Sequence, residues 1–510
     1  MKQELGFIER MFQLPLFMLV FGMASVSMLI PAIYAGVVRE LETGRAFLYS
    51  GMMGIIVFVL IALAHAGRTP GHGALGPLMS LFSTFVFLPI ILAIPVYEAL
   101  QTTSFVNAYI EMVSSITTTG ATLFDDPTRL DRPLHLWRAQ VGWMGGLIMW
   151  IAASAILAPL NLGGFEITAR AEPGRRAAGQ GQVGQIEGRL RLVKVIGTLF
   201  PVYFGLTWLL WALLWISGDE SLVALCHAMS IMATSGISPV GGLTGESGFT
   251  GELVMLLFMM FALSRLTFST DTVTSESGGI RHDPEFRIGM ALVIGVPIVL
   301  FLRHWLASID VDAQTSLADA GYAFWGAMFT VMSFLTTTGF ASVSWGEAQA
   351  WSGLATPGLI LMGLCLTGGG VATTAGGVKL LRVFALYRNG RHEMERLVHP
   401  SSVSGADPMA KRLQKNGAFI AWIFFMLFAL SLAAVTILLA AAGVSFEDAL
   451  VIAIASLSTT GPLLEMGGET PIRLIELSGF AKGIFAAAMV IGRLETLAII
   501  ALLTPDLWRG

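Results

Sequence analysis

Apolar residues run through this chain in blocks of about 20, the length that crosses the roughly 30 Å hydrocarbon layer of a bilayer. The pattern predicts ten membrane spans, over residues 11–36, 46–66, 78–99, 136–160, 195–217, 251–268, 288–306, 354–386, 417–442 and 478–503. Four further apolar stretches, 104–117, 221–233, 318–335 and 446–457, are too short to span and suit buried or re-entrant helices. Each of the four ends in a Thr/Ser-Gly motif. The first block is longer than the apolar part of a secretory leader, follows Glu4 and Glu9 and has no small-residue cleavage site after it, so it is expected to stay as an anchor.

The motifs read Thr117-Thr118-Thr119-Gly120-Ala121, Ala233-Thr234-Ser235-Gly236-Ile237, Thr336-Thr337-Thr338-Gly339-Phe340 and Ser458-Thr459-Thr460-Gly461-Pro462. By subtraction of their numbers the glycines lie 116, 103 and 122 residues apart. Each unit therefore reads span, short helix, Thr/Ser-Gly, span, and the chain looks like four copies of one module. A lone Thr-Thr-Gly is most simply a helix C-cap. Four of them, each after a helix too short to span and each on one predicted face, point instead to a pore. A dehydrated cation needs several carbonyl ligands, and glycine lets backbone turn its carbonyls inward without Cβ strain. Such irregular backbone survives at membrane depth only where it is buried or lines water. The negative end of each short helix would also face the ion.

Charge gives the orientation. Arg170, Arg175, Arg176, Arg189, Arg191 and Lys194 lie between the fourth and fifth spans, and Arg388, Arg391, Arg396, Lys411, Arg412 and Lys415 between the eighth and ninth. Both links are expected in the cytoplasm. The Thr/Ser-Gly loops then fall on the opposite face with Asp125, Asp126, Asp219, Glu220, Asp310 and Asp312, and an even span count leaves both termini inside.

Composition narrows the class further. With 55% hydrophobic and 13% charged residues and a mean hydropathy of +0.74, a soluble domain is excluded. A net charge of −4 offers nucleic acid no general attraction. Two cysteines, Cys226 and Cys365, each in an apolar segment, exclude a disulfide framework and a thiolate metal site. Neither H-E-x-x-H nor G-x-S-x-G occurs, so the usual tools of a membrane enzyme are missing and no cofactor is expected. No span carries the spaced arginines of a voltage sensor. A symporter of broken helices shares the interrupted spans but not four matching Thr/Ser-Gly loops.

At these loops the chain resembles the Trk/Ktr/HKT superfamily of K⁺ and Na⁺ transporters, in its TrkH-like bacterial branch. The resemblance extends to the run from Thr367 to Lys379, to Leu397-Val398-His399-Pro400, to Gly492-Arg493-Leu494-Glu495 and to Leu503-Thr504-Pro505. It implies an all-α polytopic membrane protein of four span–pore helix–span repeats in pseudo-fourfold arrangement plus two N-terminal transmembrane helices. On that pattern residues 1–70 hold the N-terminal pair, 71–165 the first repeat, and 166–275 the second with its preceding cytoplasmic loop. Residues 276–400 hold the third repeat with the Gly-rich loop 367–379, and 401–510 the fourth.

The same resemblance implies potassium uptake at the plasma membrane, in bacteria the inner membrane, by a homodimer with a cytoplasmic nucleotide-binding regulatory subunit. K⁺ sites would be formed by Thr118, Thr119 and Gly120, by Thr234, Ser235 and Gly236, by Thr337, Thr338 and Gly339, and by Thr459, Thr460 and Gly461. Plant relatives with Ser at the first filter glycine favour Na⁺, and glycine at all four positions here favours K⁺. The departures at Thr-Ser-Gly-Ile and Gly-Pro-Leu-Leu leave a Na⁺-permeable or ion-coupled symporter of the same fold as the alternative.

The run containing Gly368, Gly369, Gly370, Thr373, Thr374, Gly376, Gly377 and Lys379 interrupts an apolar span. By resemblance it is an intramembrane gate. As a bare pattern it also suits close helix packing, whereas a phosphate loop lacks its Gly-Lys-Ser/Thr. Arg493 is a mid-span charge that must face water or a partner. Either it lines the pore beneath the filter, as the resemblance implies, or it pairs with an acid such as Glu111 or Glu98. Glu111 and His227, on the short helices, are expected to be satisfied by hydrogen bonds behind the filter.

Overall fold

The computed structural model describes residues 14–65, 76–158, 182–264, 283–307, 317–353, 356–398 and 417–495, and these form helices and connecting turns with no strand among them. Several expectations fall outside the described residues. They are Glu4, Glu9, the starts of the first and eighth spans, Arg170, Arg175, Arg176, Asp310, Asp312, Lys411, Arg412, Lys415, His399-Pro400, Leu503-Thr504-Pro505 and the ends of the second, fourth, sixth and tenth spans.

Seven described helices are long and apolar enough to cross a membrane: Leu16–Val38, Leu41–His65, Gly76–Leu100, Arg132–Leu157, Arg191–Ile216, Pro284–Leu302 and Ala418–Ala441. The first is broken at Met28, because Pro31 has no N–H to donate and its ring crowds the carbonyl one turn back. The remaining three of the ten predicted spans are not continuous within the described residues. Gly248–Met259 tightens into a 3-10 turn over Met260–Leu263, Gly358–Thr367 stops at the glycine run, and Gly479–Leu494 stops at Glu495 with φ +62°. Two other boundaries move. The fifth helix starts at Gln182, so Arg189, Arg191 and Lys194 sit on a helical extension instead of in a link. The third short segment is 19 residues long, Leu317–Leu335, and its length alone would let it pass for a span.

The same order of elements recurs four times. A long helix leads to a short one, Phe105–Ile116, Ser221–Ala233, Leu317–Leu335 or Phe446–Leu457, then to a Gly-centred loop and a returning helix. Ser104 and Ser445 start two of the short helices by accepting the amides of Asn107 and Asp448. The units close into a circle. The returning helix Arg132–Ala152 packs on Ser221–Ala233, Gly248–Met259 on Leu317–Leu335, Gly358–Thr367 on Phe446–Leu457, and Gly479–Leu494 back on Phe105–Ile116.

Burial sorts the helices into an inner and an outer set. In the most apolar stretch of Arg132–Leu157, 78% of positions are buried, against 22% in Leu41–His65. Met52, Met53, Ile56, Leu60 and Leu63 of the latter are exposed. Water would penalise that apolar face heavily, whereas hydrocarbon accepts it.

Candidate functional site

At the centre of the circle the four loops share one backbone conformation. The residue two before each glycine is left-handed, with φ of 55° at Thr118, 50° at Thr234, 57° at Thr337 and 53° at Thr459. A β-branched residue there costs energy that surrounding structure must offset. The offset is visible in the hydrogen bonds. The Ser114 carbonyl accepts the amides of Thr119 and Gly120, Ser333 those of Thr338 and Gly339, Ser230 that of Ser235, and Ala455 that of Thr460. Hydroxyl pairs tie Thr117 to Thr119 at 2.8 Å, Thr336 to Thr338 at 3.1 Å and Ser458 to Thr460 at 3.2 Å. The second loop has Ala233 at that place, and Ser235 bonds Ser230 instead.

Neighbouring loops touch through their glycines. A Cβ on Gly120 would overlap the Ser235 carbonyl, and one on Gly236 would overlap the Thr338 carbonyl. One on Gly339 would stand 2.9 Å from Pro462, and one on Gly461 would overlap Ala121. First meets second, second meets third, third meets fourth and fourth meets first, so the ring is closed. All twelve predicted site residues of the loops meet in it, and all are buried except Gly120, which is half-buried. The fourth quarter differs: Gly461 lacks the positive φ of Gly120, Gly236 and Gly339, and its amide donates to the Thr119 carbonyl. The following Pro462 restricts its backbone in a way that the other loops do not experience.

The Gly-rich run lies against the end of the ring where the short helices terminate. The Gly376 amide donates to Thr337 Oγ1 at 2.7 Å, and a Cβ on Gly376 would overlap the Ser458 carbonyl. Thr374 Oγ1 donates to the Met232 carbonyl at 3.5 Å. Three of the four loops are thus touched from below. The run folds back on the helix it leaves, with the amides of Val378, Lys379 and Leu380 donating to the carbonyls of Leu366, Thr367 and Gly369. Gly370 donates to Ala262, and Val371 to Glu285 Oε1 at 3.0 Å. Thr373 bonds the Gly370 carbonyl, and Lys379 Nζ donates to the Ala375 carbonyl. Glycine is required where the two limbs of this turn meet, since a Cβ on Gly368 would overlap the Gly376 carbonyl.

Arg493 reaches this run from the last helix. It is 4% exposed, and Nη1 donates to the Thr374 carbonyl at 2.6 Å. Its Nε and Nη2 have no hydrogen-bond partner among the described residues. Glu111 instead pairs with Arg138 at 2.6 Å and accepts the Leu123 amide at 2.9 Å, so it is not the counter-ion of Arg493. His227 Nε2 lies 3.1 Å from Ser238 Oγ. Both residues are held behind the ring by hydrogen bonds, as expected.

At the other end of the ring stand acids. Burial, and then the charge of Asp125, pushes the Glu465 carboxyl above the usual range, while hydrogen bonds from Thr128 hold Asp126 below it.

Sequence reasoning missed Arg138, Arg382, Glu252 and Glu285. Arg382, fully buried, pairs with Glu495 at 2.6 Å and lies 3.5 Å over the Phe424 ring. Glu252 accepts Trp325 Nε1 at 2.6 Å and the Val343 amide at 2.8 Å. The available signal was the rarity of charge in apolar blocks: opposite charges buried in adjacent elements have to find each other.

A family model for TrkH, described as a cation transport protein, matches residues 77–507. The chain is 28% identical to the Trk system potassium uptake protein TrkH of Salmonella typhimurium, over 95% of this chain and 96% of that protein. It is 27% identical to that of Escherichia coli K12 over the same shares. The crystal structure of the potassium transporter TrkH from Vibrio parahaemolyticus is similar in fold, with a TM-score of 0.78 and 24% identity over 98% of this chain and 99% of that one. The matched family is one of transporters and not of enzymes, and this chain, an all-helical polytopic membrane protein, belongs to the TrkH family of cation transport proteins.

Proposed function

We propose that the chain takes up potassium across the membrane through the ring of four loops, with backbone carbonyls of Thr118–Gly120, Thr234–Gly236, Thr337–Gly339 and Thr459–Gly461 as ion ligands. The observation that carries the reading is the closed ring itself. Four loops with the same left-handed residue meet at their glycines, and such a ring of carbonyls replaces the hydration shell of an ion. Relatives named as potassium uptake proteins support K⁺ as the cargo. Residues 367–379 act as the gate, pressed against the ring and tied by Arg493. In keeping with the resemblance, the protein works as a homodimer with a cytoplasmic nucleotide-binding subunit. It lies in the bacterial inner membrane with both termini inside.

Gly120→Ser tests the filter. Its φ of +72° and the Ser235 carbonyl leave no room for a side chain, so the carbonyls of two loops must move. Discrimination of K⁺ over Na⁺ should fall about tenfold, equivalent to ~1.4 kcal/mol, with total flux less affected. Reversal potentials across liposomes in mixed K⁺/Na⁺ solutions read this ratio. An unchanged potential counts against the assignment, and a parent protein already permeable to both ions favours the Na⁺ alternative.

A further inference from the structure

Counting back nine positions from each loop glycine reaches Glu111, His227, Thr330 and Ile452, all buried and each on a short helix. Three of these equivalent residues grip the chain just past the glycine of their own unit. Glu111 Oε2 accepts the amide of Leu123, three residues after Gly120, at 2.9 Å. Thr330 Oγ1 accepts the amide of Ser342, three after Gly339, at 3.1 Å. In the second unit that place is Pro239, which has no amide, and His227 holds Ser238 Oγ one residue earlier. The chemistry of the residue differs each time, and the first and third units share the same amide link while the second reaches a side-chain hydroxyl one residue earlier. Ile452 has nothing to donate or accept, and the fourth loop is also the one whose glycine departs from the shared backbone and leans on Thr119.

We infer that Glu111, His227 and Thr330 are positioning residues that brace three quarters of the filter and set its selectivity, while the fourth quarter, with Ile452 at the equivalent place, lacks this brace. This rests on reading the loops as the filter. The brace spans the loop from within the short helix, more than a turn before its last residue, to the far side of the glycine, so it fixes how far the intervening carbonyls can close. A loop freed from it can draw in around the smaller Na⁺ as readily as around K⁺. Glu252 also holds Ser342, but through its side chain, leaving the Ser342 amide to Thr330.

The test measures reversal potentials in mixed K⁺/Na⁺ solutions on the full-length protein in liposomes. Thr330→Val keeps the shape and removes the acceptor. It should lower the K⁺/Na⁺ permeability ratio about fivefold, the factor that one neutral hydrogen bond is worth. Thr330→Ser, which keeps the hydroxyl, should restore the parent ratio. Ser238→Ala cuts the second brace at its more accessible end, together with the hydroxyl's bonds to the Gly242 carbonyl and the Val240 amide, and should shift the ratio the same way in protein of parent thermal stability. Ile452→Val, at the unbraced position, should leave it alone. Parent ratios for Thr330→Val and Ser238→Ala, with Gly120→Ser still shifted, overturn the bracing and leave the filter standing. A parent ratio in Gly120→Ser as well overturns both.

Discussion

Potassium flux per folded molecule should rise about tenfold in Arg493→Gln. On the proposed reading the guanidinium does two things: it repels a cation leaving the ring, and it holds the Thr374 carbonyl of the Gly-rich run at 2.6 Å. Hydrogen bonds from charged donors contribute about 1.5–3 kcal/mol, and ~1.4 kcal/mol is a factor of ten in an equilibrium between closed and open positions. Glutamine is shorter and neutral and supplies neither effect fully. The rival role, a structural ion pair, is left without either expected acid, since Glu111 is taken by Arg138 at 2.6 Å and Glu98 is exposed. Glu495 is likewise taken by Arg382. Radioactive Rb⁺ uptake into proteoliposomes, normalised to folded protein, decides the matter. Reduced yield with no gain in flux would return Arg493 to a purely structural part.

Arg138→Met should lower the amount of folded protein severely. The pair that it forms with Glu111 is almost wholly buried, at 7% and 0% side-chain exposure. Methionine leaves the Glu111 carboxylate without a counter-charge, and such half-removed buried pairs cost about 3–5 kcal/mol. That is a large part of the roughly 5–15 kcal/mol by which a folded domain is stable. Adding Glu111→Gln should recover much of the loss, because an amide oxygen can still accept the Leu123 amide and carries no charge to strand. Arg132→Met is the control. Its pair with Glu220 is half exposed, at 54% and 51%, and such surface pairs contribute little. Yield and thermal stability in detergent measure all three, and a parent-like Arg138→Met would mean that Glu111 finds other support.

The repeats were legible because their signal is periodic. Four Thr/Ser-Gly motifs at near-equal spacing carry more information than any one of them, and the helices around them follow the apolar blocks to within a few residues. The boundaries that moved did so where length or apolarity alone decides poorly. Residues 318–335 form a helix as long as a span, and only its place after a span and before a glycine marks it as re-entrant. The run from Gly368 to Lys379 could be seen to interrupt a helix, but not where the loop would lie, because its position depends on Thr337, Met232 and Ser458 from three other units. Pairing was the least legible property. Arg382 and Glu495 are 113 residues apart in sequence, and nothing short of the closed circle of helices brings them together. Thr330 illustrates a different blindness: a threonine in an apolar helix is unremarkable until it is compared with Glu111 and His227 at the same register.

Because all four corners of the ring belong to one polypeptide, each can drift in sequence separately. In an assembly of four identical subunits any change at the filter strikes every corner at once, and most such changes would destroy it. Here Thr-Thr-Gly-Ala, Thr-Ser-Gly-Ile, Thr-Thr-Gly-Phe and Thr-Thr-Gly-Pro surround the same axis. On the proposed reading, ion preference can therefore be adjusted one quarter at a time, and the proline-bearing fourth corner is the one whose backbone departs from the other three.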